Sequence, residues 1–488
     1  MRDLGIARRS LLHLRPDISR VVARLFVPGR ELLGGSESRA ESTVERVMAL
    51  SDEEVDAALA SLYERFSSRH LDIHESFQSN FERIVGYVKA PLSPARQELL
   101  GATFTHELTL EGAAICNPSL VASPVQSRLR DGEVRVVMSY RAISEGHRSS
   151  ICFREGVVGP DGTLVLDEAK RFPVIAVTSP APLNREHVRA LLRDRDADGD
   201  SAEAVLSNLF EEFSTAELEK AMVQFELQGD TRPNVLQTIG TLRAIVAGFY
   251  AADFSDDVAL TRRVLWPTAP GEYEGMEDAR FVRLDDDGTS RYVATYTAFN
   301  GFSVAQQLLE TEDFIHFVSS PLAGMAARNK GLAIFPRKVN GRYTALSRHD
   351  RESNTLAYSD DLHCWDDAVA LEAPQLDWEL LQLGNCGSPM ELPEGWLVLT
   401  HGVGPMRTYA IGALLLDLEN PTKVIARSML PVLSPSAEEQ DGYVPNVVYS
   451  CGSLLHENTL CLPYGVGDQS IRYATFDVKL LLDSLVKV

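Results

Sequence analysis

Five hairpin signals after residue 100, a phrase that recurs about fifty residues later and helical periodicity confined to two stretches predict an all-β five-bladed β-propeller with an N-terminal helical extension and a helical insertion. The hairpin signals are Asp131-Gly132 before Val134 to Arg141, Asp287-Gly288 before Tyr292 to Thr297, Asn340-Gly341 before Tyr343 to Arg348, Glu394-Gly395 before Trp396 to His401, and Glu457-Asn458 before Leu460 to Tyr464. Asn-Gly and Asp-Gly supply the positive φ that tight hairpins need. The recurring phrase is Thr311-Glu312-Asp313-Phe314-Ile315-His316-Phe317, matched by Ser359-Asp360-Asp361-Leu362-His363-Cys364-Trp365. In a ring of blades the inner strands bring their ends to one cavity, where Arg141, Tyr296, Arg348, His401 and Tyr464 would converge. An elongated sandwich would leave them unrelated.

The helical signals lie outside the repeats. Ser51-Asp52-Glu53-Glu54 is a capping box, and Val55, Leu59, Leu62, Tyr63 and Phe66 follow at helical spacing, so Ser51 to Lys89 reads as an amphipathic helix or helical hairpin. Residues 1–45 read as a polar, arginine-bearing arm, partly disordered. The expected division is an arm and helical extension over 1–100 and a propeller domain over 101–488. A helical insertion at about 184–250 would serve as a lid, a wall or a homo-oligomer contact; Leu206, Leu209, Phe210, Phe213, Leu218, Met222 and Phe225 form its apolar stripe.

Across 488 residues the formal net charge is -22, which opposes a nucleic-acid backbone or an anionic membrane as partner and favours a neutral substrate. No apolar run has the length of a signal peptide or membrane span, so no membrane insertion is expected. The six cysteines form no C-x-x-C pair. A reduced, cytoplasmic protein without zinc is the expectation.

The densest chemistry is Glu274-Gly275-Met276-Glu277-Asp278-Ala279-Arg280. Crowded acids at the mouth of a strand are costly unless something uses or pairs them. Two readings stay open: a salt-bridged start of a strand with Arg280 neutralising Glu277 or Asp278, or a catalytic carboxylate. Asp194-Arg195-Asp196-Ala197-Asp198-Gly199 imitates a calcium loop, but Val205 occupies the position of its closing glutamate, so it reads as a solvated acidic turn and no metal is expected. Lys330, Arg337 and Lys338 concentrate cations before the third hairpin, suited to balancing charge or to facing a sugar hydroxyl or phosphate.

Several short motifs occur in a specific order: Asn117-Pro118-Ser119, Tyr140-Arg141-Ala142, Gly275 to Arg280, Tyr296-Thr297-Ala298, Lys330 with Phe335-Pro336, Ser359 to Leu362 with Trp365, Gly395-Trp396 with His401-Gly402-Val403, Gly412 to Leu418, and Val444 to Tyr449. Together, over about residues 110–480, they resemble glycoside hydrolase family 130, five-bladed propellers that cleave β-mannosides by phosphorolysis or hydrolysis. The resemblance implies an inverting attack on a terminal β-linked mannose, with Asp278 as general acid protonating the leaving oxygen through a sugar hydroxyl. Ala279 stands where the family motif has proline. The side chains expected to face the sugar are Asn117, Arg141, Glu277, Arg280, Tyr296, Lys330, Arg348, His401 and Tyr464.

The nucleophile separates the two chemistries. A phosphorylase needs cations and a histidine around phosphate, whereas an inverting hydrolase needs a carboxylate that deprotonates water. Phosphorylases of the family close the third hairpin with His-Arg, and this chain has Ser347-Arg348 with His349 following. Glu352 and Glu391 lie nearby, as in members that hydrolyse β-1,2-mannosides. The sequence reading therefore leans to hydrolysis, with Glu352 or Glu391 as base and no cofactor. Its first alternative is phosphorolysis through Lys330, Arg348 and Arg141, with inorganic phosphate as co-substrate and α-mannose 1-phosphate as product. A non-catalytic propeller binding glycans is the second. In each case the partner is a β-mannoside oligosaccharide or glycoconjugate.

Overall fold

The computed structural model describes residues 2–28, 38–227 and 234–488. Two compact units emerge: residues 1–16, 113–169 and 175–488 form one, and residues 17–112 with 170–174 form the other.

The larger unit is built of antiparallel meanders. The first contains Ala114–Ala122, Val134–Ile143 and Ser149–Val158, the last of which is also paired with Leu164–Leu166 and Arg263–Leu265. The second runs Gly275–Asp286, Thr289–Phe299, Val304–Thr311 and His316–Pro321, and continues outward through Tyr250–Asp253 and Val177–Pro180. The third is Ala333–Ile334, Tyr343–Ser347, Asn354–Ser359 and Asp367–Glu372. A fourth joins Gln382–Asn385, Gly395–Gly404, Thr408–Leu416 and Val424–Arg427, and a fifth joins Val448–Tyr449, Thr459–Val466, Ser470–Asp477 and Arg8–Leu14. One parallel pair, Gly275 with Ser149, stitches the first meander to the second. A Cβ on Gly275 would lie 2.6 Å from that of Ser149, so the approach requires glycine.

The turn chemistry explains much of this order. Asp287-Gly288 and Asn340-Gly341 take positive φ at both residues, the geometry whose twist suits a two-residue hairpin. The recurring phrase builds the same turn twice. Asp313 Oδ1 accepts from the Ile315 and His316 N–H groups and Thr311 Oγ1 from that of Phe314. Asp361 Oδ1 accepts from His363 and Cys364, and Ser359 Oγ from Leu362. Phe314 and Leu362 are left-handed at the same step, and each turn delivers a fully buried ring, Phe317 and Trp365. Burying rings of this size contributes about 2–3 kcal/mol each.

In the described part of the N-terminal arm Arg8–Leu14 pairs with Ser470–Asp477 as an outer strand. Arg8 and Arg9 are consecutive and the register shifts between Arg9 and His13, so no regular alternation marks this strand in the sequence. Residues 29–37 of the expected arm lie outside the described residues. In the smaller unit the capping box forms in both directions, with Ser51 Oγ accepting from Glu54 N–H and Glu54 Oε2 from Ser51 N–H at 2.7 Å. Helices Asp52–Phe66, Ile73–Ile84 and Pro94–Thr103 follow, and Val55 and Leu59 enter its core.

The insertion folds as helices Arg185–Arg193, Asp200–Leu206, Thr215–Leu227 and Val235–Val246 around Leu206, Phe213, Leu218, Met222 and Phe225. Phe210, expected on that stripe, is exposed instead, because it follows the end of its helix. The calcium-like turn spends its acids internally: Asp194 accepts from Gly324 N–H, and Asp198 pairs with Arg189 and Arg193. No helix among the described residues is long and apolar enough to cross a membrane.

Candidate active site

Two bulges create the site. The pairing of Ala114–Ala122 slips between Cys116 and Ser119, and that of Gly275–Asp286 between Glu277 and Arg280. Within the slips Asn117 (φ +52°) and Asp278 (φ +57°) are both left-handed, a conformation that re-aims a side chain at a cost of about 1–3 kcal/mol. The two side chains meet: Asn117 Nδ2 donates to Asp278 Oδ1 at 2.6 Å. Strain at two facing bulges, spent on one carboxylate, is the mark of a functional position.

Cations from separate meanders neutralise the acids. Arg141 lies 2.8 Å from Glu277 and 3.8 Å from Asp278, and Lys330 Nζ lies 2.6 Å from Glu277. Arg280 forms no direct ion pair with either side chain among the described residues, unlike the salt-bridged reading of the sequence. It donates to the Asp278 carbonyl oxygen at 2.9 Å and to the Tyr449 hydroxyl at 2.7 Å, so it stiffens the bulge and reaches across to the fifth meander. Burial would raise the Asp278 carboxyl, but Arg141, Arg280, Lys330 and the Asn117 hydrogen bond outweigh it and hold the group below its ordinary range.

A second wall carries Arg348, His401 and Tyr449. His401 Nδ1 faces the Asn385 carbonyl oxygen at 3.0 Å, which assigns that nitrogen the proton. Burial first, and then Arg348, hold His401 far below its usual titration range, so the ring is neutral. Its Nε2 therefore accepts from Gln382 at 2.9 Å and from Arg348 Nη1 at 3.4 Å. Arg348 itself is half-buried and has no carboxylate partner among the described residues. Burial and the nearby Arg280 both weaken its hold on the proton, while Tyr449 opposes them.

Sequence reading thus brought together Asp278, Asn117, Arg141, Glu277, Arg280, Lys330, Arg348 and His401. Three other expectations are corrected. Tyr296 points to the opposite face of its strand, into a buried network with Glu272, Ser319 (2.9 Å) and Tyr250 (3.2 Å). Tyr464 likewise faces an apolar core, donating to Glu439 at 2.8 Å. Glu391 forms a bidentate pair with Arg337, 2.6 and 2.8 Å, and Arg337 bridges to Asp285 at the far end of the strand that carries Asp278. That run covers roughly 20 Å at strand rise, too far for a carboxylate pair flanking one bond. Glu352 lies in an exposed bend whose carbonyl oxygen accepts from Leu383 N–H at 2.8 Å, next to Gln382, and among the described residues no hydrogen bond ties its carboxylate to the cluster.

One carboxylate was missed. Asp468, in the turn after Thr459–Val466, is pushed up to about 6 by burial and by Asp278, against the pull of Arg141 and Arg407. Its signal was the Gly465-Val466-Gly467-Asp468 run, which places an acid on a hairpin tip just past the residue that was chosen. Because its folded pKa lies above the unfolded value of 3.8, Asp468 is most compatible with the fold below pH 4 and destabilises it increasingly as pH rises through 6. Asp468→Asn is expected to raise stability by up to about 3 kcal/mol at pH 8 and by less than about 1 kcal/mol at pH 4. Urea unfolding at the two pH values measures the difference, and an equal gain at both would refute it.

A strained carboxylate among cations, facing a second wall with an unpaired guanidinium and a neutral histidine, defines an enzyme site of the glycoside-cleaving class. Comparison with known proteins gives the family. A family profile described as beta-1,4-mannooligosaccharide phosphorylase matches residues 254–487. The 1,2-beta-oligomannan phosphorylase of Thermoanaerobacter sp. (strain X514) is 34% identical over 219 residues, 43% of this chain and 70% of that protein. The beta-1,2-mannobiose phosphorylase of Listeria innocua is 33% identical over 228 residues, 45% of this chain and 63% of that protein. The solved structure of a Listeria innocua beta-1,2-mannobiose phosphorylase with beta-1,2-mannobiose aligns at 24% identity and TM-score 0.46, covering 78% of this chain and 93% of that one. The chain belongs to glycoside hydrolase family 130 and is a glycoside hydrolase or glycoside phosphorylase acting on β-mannosides.

Proposed function

We propose that the protein is an inorganic-phosphate-dependent β-mannoside phosphorylase, and that its meanders are the five blades of a closed propeller. For the ring, the support is contact between successive meanders: Ala114–Ala122 adjoins both Gly275–Asp286 and Thr459–Val466, Thr289–Phe299 adjoins Ala333–Ile334, Tyr343–Ser347 adjoins Gln382–Asn385, and Thr408–Leu416 adjoins Val448–Tyr449. For the chemistry, the carrying observation is Arg348, a half-buried cation without a carboxylate, held by neutral His401 beside Arg280. An arginine left unpaired in such a setting suits an anion supplied from solution. This reverses the hydrolytic lean of the sequence, one of whose candidate bases, Glu391, is held by Arg337 at the far end of the strand that carries Asp278. The similarity to curated mannoside phosphorylases points the same way.

In the proposed reaction the terminal mannose lies between the two walls, with Asn117, Asp468 and the Glu277 ion pairs toward its hydroxyls. Phosphate, held by Arg348 and Arg280, attacks the anomeric carbon from the face opposite the aglycone. The glycosidic C–O bond breaks, and its leaving oxygen receives a proton that originates on Asp278 and passes through a sugar hydroxyl. The products are α-mannose 1-phosphate and a shortened mannoside. In the free site the surrounding cations hold Asp278 ionised. Arrival of a dianion beside Arg280 offsets those cations, raises the Asp278 pKa and thereby loads the acid when the nucleophile is in place. No cofactor enters this scheme. Six free cysteines suit the reducing cytoplasm proposed as its compartment.

Initial rates on β-1,2-mannobiose with and without phosphate test the assignment. Turnover only with phosphate is expected, and equal mannose release in its absence would reject it.

A further inference from the structure

The turns immediately above the acid wall carry a strip of exposed rings that the cleavage chemistry does not use. Tyr443 and Tyr273 are 53% and 58% exposed. The Tyr443 ring lies against His147, centroids 5.6 Å apart, and its hydroxyl reaches the His147 ring at 3.2 Å although the two residues belong to different meanders. The next residue, Arg148, lays its guanidinium over the Tyr273 ring at 4.9 Å. His147 and Arg148 are consecutive, so Tyr443, His147, Arg148 and Tyr273 form one continuous strip.

Its placement is fixed by the site. His147 and Arg148 lie in the turn that joins Val134–Ile143, the strand carrying Arg141, to Ser149–Val158. Ser149 N–H donates to the Glu274 carbonyl oxygen at 3.1 Å, which sets Arg148 beside Tyr273, two residues before Gly275. Val444 N–H donates to the Gly467 carbonyl oxygen at 2.8 Å, which sets Tyr443 next to the turn of Asp468. Exposed rings clipped to a partner and gathered at the edge of a polar site call for an apolar ligand surface. A pyranose offers one: its C–H face packs on an aromatic ring while its hydroxyls reach water, histidine or arginine.

Resting on the proposed β-mannoside cleavage, we propose that Tyr443, His147, Arg148 and Tyr273 form an outer subsite that binds sugar units on the aglycone side beyond the cleaved bond. The preferred substrate is then an oligosaccharide longer than a disaccharide. Tyr443 is a specificity-determining residue, not a catalytic one.

The test compares kcat/KM for β-1,2-mannotetraose and β-1,2-mannobiose at saturating phosphate in wild type, Tyr443→Ala and Tyr443→Phe. The tetraose-to-biose ratio is expected to exceed one in wild type, to fall about tenfold in Tyr443→Ala, and to stay within about twofold of wild type in Tyr443→Phe, which keeps the ring and loses only the bond to His147. An unchanged ratio in Tyr443→Ala overturns the subsite, as does an equal fall in Tyr443→Phe. Should Tyr443→Ala not fold, Tyr273→Ala carries the same expectation. If wild type turns over no β-mannoside, the functional proposal fails and calorimetric titration with β-1,2-mannotetraose decides the subsite. About tenfold weaker binding by Tyr443→Ala supports it, whereas equal binding or none in wild type overturns it.

Discussion

Asp278→Asn is expected to lower kcat by about 10²- to 10⁴-fold, the range that a positioned proton donor supplies. The substitution is nearly isosteric and its amide oxygen still accepts from Asn117, so the bulge and the fold should persist. What disappears is the proton, together with the negative charge that Arg141 and Lys330 surround. Substrate affinity should therefore change far less than turnover. A steady-state comparison, with thermal unfolding as a control for folding, separates these effects. Turnover within about threefold of wild type would remove Asp278 from the chemistry.

Arg348→Ala is expected to act on phosphate. The guanidinium has no internal ion pair to lose, so its removal should cost little stability and should lift burial stress from the wall. The loss falls on the anion: KM for phosphate should rise at least about tenfold and kcat should fall as well, since the charge that develops during attack is held by the same group. His401→Ala would reproduce part of this effect by freeing Arg348 from its acceptor. A variant with unchanged phosphate KM would mean that the unpaired cation serves another ligand.

Much of this site was legible before any coordinates, and the reason is local. Asp278 and Arg280 lie in a short run whose residue types are expensive unless used, so crowding flagged them, whereas Asn117 came from the family resemblance and Arg141 from the hairpin pattern and the resemblance together. The duplicated turn of Asp313 and Asp361 was equally visible, since a side chain bonded to its own backbone leaves a fixed spacing. Faces were harder to read. Tyr296 and Tyr464 were chosen as residues near the ends of strands, yet in a period-two element an offset of one residue selects the opposite face. Asp468 was overlooked because the strand runs to Val466 and this acid sits past it on the hairpin tip. The choice between water and phosphate depended on distance. Glu391 looked like a base until Arg337 drew it to the other end of the sheet, whereas the value of Arg348 lay in the carboxylate it lacks, which no linear pattern can display.

The central claim is that one cavity joins a proton donor at Asp278 to an anion site at Arg348, and the product itself tests it most directly. Phosphorus and proton NMR of a reaction containing β-1,2-mannobiose, phosphate and the purified protein should reveal α-mannose 1-phosphate accumulating one for one with mannose. Two molecules of free mannose per disaccharide, with no sugar phosphate at any time, would contradict the account.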